Sequence, residues 1–192
     1  FDYYGSGDSE GDYAEATLAQ WRRDISKAVN VCKQRSGCEK VVLVGLRTGA
    51  TLAMQASMGR NDIEALALWS PVLDGQLLLR EWVASQRKYE RGMGYSPVEN
   101  EVFGLPMTRT MHDDLGRLDI SNLTPPVRQV LVVHHEADAR VNSLKSKLDG
   151  FGIKVEHIIM EKIAIWLKET PDAIVPHEVL HTVTNWQKKL AI

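Results

Sequence analysis

One stretch constrains the fold more than any other: Val41-Val42-Leu43-Val44, then Gly45-Leu46-Arg47-Thr48-Gly49, then helix formers through Leu52, Ala53 and Ala56 to about Met58. A short apolar run rich in β-branched residues and bounded by glycine reads as a buried strand. Two glycines four apart then allow a tight turn straight into a helix. The same alternation continues along the chain. Leu18, Trp21, Ile25, Val29 and Cys32 fall at helical steps, and Gly37 closes that helix. Ala65 to Trp69, Val130 to Val133 and Val155 to Met160 read as strands, with a helix at Ser143 to Leu148 and a last one from about Pro176 to Leu190. Strands alternating with helices predict an α/β domain with a mainly parallel sheet. Between Gly75 and Pro126 the pattern changes to helices at Leu77–Tyr89 and Thr108–Leu118 with no strand-like run, so a small helical cap is expected over about 75–126 of a single domain, 1–192.

Composition narrows the function classes. Lys+Arg 23 against Asp+Glu 25 leaves a net charge of −2, which provides no basic surface for nucleic acid or anionic lipid. Apolar runs of four fall far short of the ~20 residues that span a bilayer. Cys32 and Cys38 form a C-x5-C pair that fits no common zinc spacing and reads as two reduced thiols, consistent with a cytoplasmic location. Nothing at the start reads as a signal peptide. Phe1-Asp2-Tyr3 instead reads as the end of a strand, so further strands are expected upstream.

A strand, G-x-x-x-G and a helix have the shape of a nucleophile elbow, in which a strained turn lifts the central side chain above the sheet edge. Two further segments extend the likeness: Asp2-Tyr3-Tyr4-Gly5-Ser6-Gly7-Asp8-Ser9 and Val132-Val133-His134-His135-Glu136-Ala137-Asp138. With these the chain resembles the α/β-hydrolase superfamily, whose D-x-x-G-x-G-x-S loop and acid-bearing loop they match. Leu68-Trp69-Ser70-Pro71-Val72-Leu73-Asp74-Gly75, Gly45-Leu46-Arg47-Thr48-Gly49-Ala50 and Val102-Phe103-Gly104-Leu105 resemble one branch, the serine-aminopeptidase-like hydrolases associated with exosortase systems. The resemblance implies an α/β-hydrolase fold, no cofactor, Asp138 as the triad acid, and position 47 as the nucleophile. It also implies that the loop with the other oxyanion-hole donor precedes this chain.

The nucleophile position holds Arg47, and a guanidinium that stays protonated cannot attack a carbonyl. Thr48 occupies the place whose backbone N–H serves the oxyanion hole. Arg47 is expected to pair with Asp138 or, with Thr48, to grip an acidic or acyl ligand. A triad histidine is expected around 169–173, where none stands. His177 is the nearest substitute, at the start of the final helix.

Three readings follow. The first is a catalytically degenerate hydrolase-fold protein acting as a ligand-binding or accessory module, with a small ligand or a protein partner. The second is an ester, thioester or amide hydrolase with a non-standard site. The third is a zinc peptidase using the literal H-E-x-x-H at His177, Glu178 and His181. Against the third, the stripe Val179, Val183, Trp186 and Leu190 turns both histidines toward water, and Gln187 stands where the extended motif needs a histidine, so no metal site is expected. Ser70 reads as a strand-end turn, and His112 with Asp113 and Asp114 as a solvated helix face. Arg80, Arg87, Lys88 and Arg91 read as the polar side of the first cap helix.

Overall fold

Leu18, Trp21, Ile25 and Val29 recur every three or four residues and bury one stripe of α1 (Leu18–Ser36). The helix starts where the Thr17 hydroxyl accepts the Gln20 N–H and stops where Gly37 turns left-handed, at φ 74°. Cys32 continues the stripe in sequence yet lies exposed. After α1 come β1 (Val41–Leu46), α2 (Thr48–Ser57), β2 (Ile63–Trp69) and α3 (Gly75–Met93). A two-stranded hairpin, β3 (Glu101–Val102) and β4 (Leu105–Pro106), leads to α4 (Arg109–Gly116). The chain then forms β5 (Gln129–His134), α5 (Ala139–Gly150), β6 (Lys154–Ile159) and α6 (His177–Lys188). The computed structural model describes residues 1–94, 100–161, 164–167 and 175–190.

The four long strands form one parallel sheet in the order β1-β2-β5-β6. Alternation along β2 and β5 divides the core in two. Leu66, Leu68, Val130 and Val132 face a layer built from α1, α2, α5 and the first turn of α3. Ala65, Ala67, Trp69, Leu131 and Val133 face α6, where Val179, Val183 and Trp186 cover them. A sheet sandwiched between helices explains why β2 is buried along its whole length.

β1 stands at one end of the four-strand order, and Val44 is 53% exposed. Among the described residues Phe1–Tyr3 pairs with no strand and leads into a loop closed by Gly5 N–H on the Glu10 carbonyl and by the Ser9 hydroxyl on the Asp2 carbonyl. One expectation changes. The cap segment does contain strand, since Phe103 and Gly104 both take positive φ and turn β3 onto β4. Its helices α3 and α4 contribute Leu78, Leu79, Met111 and Leu115 to the first core layer. Among the described residues no helix is long and apolar enough to cross a membrane.

Candidate functional site

The carboxyl ends of β1, β2 and β5 meet on one side of the sheet, where α/β proteins place their ligand sites. At the end of β1, Arg47 adopts φ 52° and ψ −122°, a conformation that suits glycine at the first corner of a type II′ turn. Such strain costs ~1–3 kcal/mol and persists only where the surroundings enforce it. Here the Arg47 N–H donates to the Trp69 carbonyl, while its own carbonyl accepts from Ala50 and Thr51. Gly45 makes the turn possible, because a Cβ there would lie 2.5 Å from the Ala50 backbone. Gly49 is under no such constraint; its nearest contact would be the Tyr3 hydroxyl at 3.5 Å. The Thr51 hydroxyl donates to the Val72 carbonyl at 2.8 Å and ties α2 to the chain leaving β2.

The Arg47 side chain is held on two sides. Its Nη2 donates to both oxygens of Glu81, at 2.9 and 2.8 Å, and its guanidinium lies 4.9 Å from the centre of the Trp166 ring. Glu81 reaches it from α3, so that helix supplies the counter-charge. The expected Arg47–Asp138 pair does not form. Asp138 instead accepts the Arg140 backbone N–H as the N-cap of α5 and binds the Arg140 guanidinium through both oxygens, at 3.0 and 2.7 Å. Hydrogen bonding from Arg140 holds the Asp138 carboxyl below its ordinary range. The carboxylate at the acid position is therefore spent on a helix start and an arginine.

Ser70, expected as a strand-end turn, stands beside the site. It follows β2 with φ 43°, is fully buried, and its hydroxyl lies 3.3 Å from His135 Nδ1. His135 Nε2 lies 3.5 Å from a Glu136 carboxylate oxygen, and its ring stacks on His134 at 4.7 Å. His134 is buried, with Nδ1 2.8 Å from the Glu136 carbonyl, and burial lowers its pKa. Glu81 had one available signal: it follows Leu77 and Leu78 at helical spacing and so shares their face of α3.

Arg47, Glu81, His134, His135, Asp138 and Arg140 line one cavity of about 320 Å³ whose apolar wall comes from Pro71, Val72, Leu73, Leu77 and Leu78. Thr48 opens α2 half-buried and does not line this cavity. His177 and His181 are both exposed on α6, and His177 does not line it either. The place expected for a triad histidine, 169–173, lies outside the described residues. Among the described residues no three histidine, cysteine or carboxylate side chains gather around a metal-sized space.

No family model matches the sequence, and no curated protein matches it. Solved structures do. A putative hydrolase from Agrobacterium vitis superposes with a TM-score of 0.59 at 18% identity, over 98% of this chain and 74% of its own. The Pyrococcus furiosus esterase Pf2001 gives 0.62 at 14% identity, over 98% and 67%. A lipase-esterase related protein from Clostridium acetobutylicum gives 0.61 at 13% identity, over 96% and 81%. At these identities the likeness speaks to architecture alone, and it agrees with the parallel sheet and the elbow turn: the chain has the α/β-hydrolase fold.

Proposed function

We propose that this chain is a catalytically degenerate α/β-hydrolase-fold protein that binds a small ligand in the cavity around Arg47. The observation that carries this reading is the elbow itself. Its strained backbone persists at Arg47 while the side chain it presents is an ion-paired guanidinium, which has no electron pair to attack a carbonyl. Asp138 supports it, because a carboxylate committed to Arg140 does not orient a general base. The branch resemblance adds an accessory role in the cytoplasm beside an exosortase-type system, with a protein partner.

A second reading rests on Ser70. Its hydroxyl beside His135, with Glu136 beyond, is a serine–histidine–carboxylate series that could serve an ester, thioester or amide hydrolase with a non-standard site. Its complete burial weighs against it, since an acyl carbon must reach Oγ. Labelling of the full-length protein by an alkyl fluorophosphonate separates the two. The first reading predicts no adduct by intact-mass spectrometry. An adduct mapped to Ser70, and lost in Ser70→Ala and His135→Ala, establishes the second.

A further inference from the structure

We propose that the cavity binds a monocarboxylate with a short apolar body, whose carboxylate displaces Glu81 and takes the Arg47 guanidinium as a fork. The inference rests on the non-catalytic reading of this site and names the ligand class for it.

Three features of the pair point this way. Of the guanidinium nitrogens of Arg47, only Nη2 donates to another described residue, and it gives both its contacts to the single carboxylate of Glu81. The Arg47 side chain is 18% exposed and lies over the Trp166 ring, which helps to hold it in place before any ligand arrives. Glu81, by contrast, is 38% exposed on a helix face and can swing into water at small cost. Glu81 thus acts as an internal stand-in for the ligand, a carboxylate that occupies the guanidinium until a better-placed one replaces it.

The rest of the cavity selects within the anions. Asp74 is engaged in capping α3, Asp138 is held by Arg140, and Glu136 stands beside His135. With Arg140 held by Asp138, Arg47 is the lining arginine left to be satisfied when Glu81 departs. A dianion such as phosphate would meet it among several negative groups, whereas a planar monoanion matches the two-pronged guanidinium. Leu73, Leu77 and Leu78 supply apolar wall for the ligand's body. A volume of about 320 Å³ lies at the small end of the ~300–1,000 Å³ range of ligand pockets, which sets the body at a few carbons.

Calorimetric titration of the full-length protein with sodium hexanoate tests this, with inorganic phosphate and hexylamine as comparison probes. Hexanoate should bind the wild type, and Glu81→Ala should bind it about tenfold more tightly because the competing carboxylate is gone. Arg47→Met should lose the binding, and Arg47→Lys should lose most of it, since an ammonium keeps the charge without the fork. Both Arg47 variants are checked for a native melting transition, and either one that folds decides the question. Hexanoate affinity unchanged in the folded Arg47 variants overturns the inference, as does affinity not raised in Glu81→Ala. Tighter binding of hexylamine or phosphate than of hexanoate overturns it as well. Turnover of a hexanoyl ester by the wild type contradicts the non-catalytic reading beneath it. Absence of hexanoate binding in a protein that also shows no turnover removes only the ligand class.

Discussion

The turns after β1 and β5 do the same topological job, each passing the chain from a parallel strand into a helix, yet they are stabilised in opposite ways. The first is strained: Arg47 sits at φ 52° and ψ −122°, and α2 begins with no side-chain cap. The second is relaxed: Asp138 has extended backbone at φ −130°, and its carboxylate caps α5. A capped turn needs only its own residues, so it would form in almost any fold. A strained turn needs the surrounding structure to hold it, and here Gly45, Trp69 and Thr51 do so. Such geometry belongs to a site rather than to stability alone. The contrast separates what the hydrolase architecture retains, the elbow backbone, from what this chain does with it.

Substitutions at four positions sharpen the comparison. The largest effect is expected from Gly45→Ala, whose Cβ would collide with the Ala50 backbone and cost about 3 kcal/mol in denaturant unfolding. Asp138→Ala should cost about 1–2 kcal/mol, from the lost cap of α5 and the unpaired Arg140. That contribution has a pH signature. The folded carboxyl lies below its ordinary 3.8, so its stabilisation is complete above that value and is lost as pH falls through the folded pKa. Wild type should lose more stability than Asp138→Asn as pH falls below about 4 in thermal melts.

At the strained turn the order of small residues should invert. Both Arg47→Ala and Arg47→Gly lose the Glu81 pair, but only glycine relieves the backbone, so the glycine variant should be the more stable by about 1 kcal/mol. Equal stability of the two would mean that the turn stores no strain. The smallest effect should come from Gly49→Ala, which meets no close neighbour inside α2 and should stabilise by under about 1 kcal/mol. Its sign opposes that of Gly45→Ala, four residues away.

Much of the fold was legible in the sequence because each strand carries its own apolar run and each helix its own stripe. Ala65 to Trp69 and Val130 to Val133 fall within the observed strands β2 and β5. Strand order is another matter. Nothing local to Val41–Val44, Ala65–Trp69 or Val130–Val133 says that β1, β2 and β5 stand side by side in that order. The site divides in the same way. Arg47 and Asp138 could be found because each lies in a strand–turn–helix motif that fixes its place. The partner of Arg47 could not: Glu81 lies 34 residues away, and the neighbouring Ser70–His135 contact spans 65, so only tertiary packing joins either pair. Asp138 was expected to serve Arg47, but Arg140, two residues away, captured it first. A local pair costs less chain entropy than one closed across the fold.

The most direct measurement is turnover of a panel of short acyl esters by the full-length wild type and by Arg47→Ser, which restores a hydroxyl to the elbow. The account predicts buffer-level hydrolysis from both, because the strained turn survives while Asp138 is committed to Arg140. Wild-type turnover that disappears in Ser70→Ala or Asp138→Ala would contradict it and make this fold a working hydrolase.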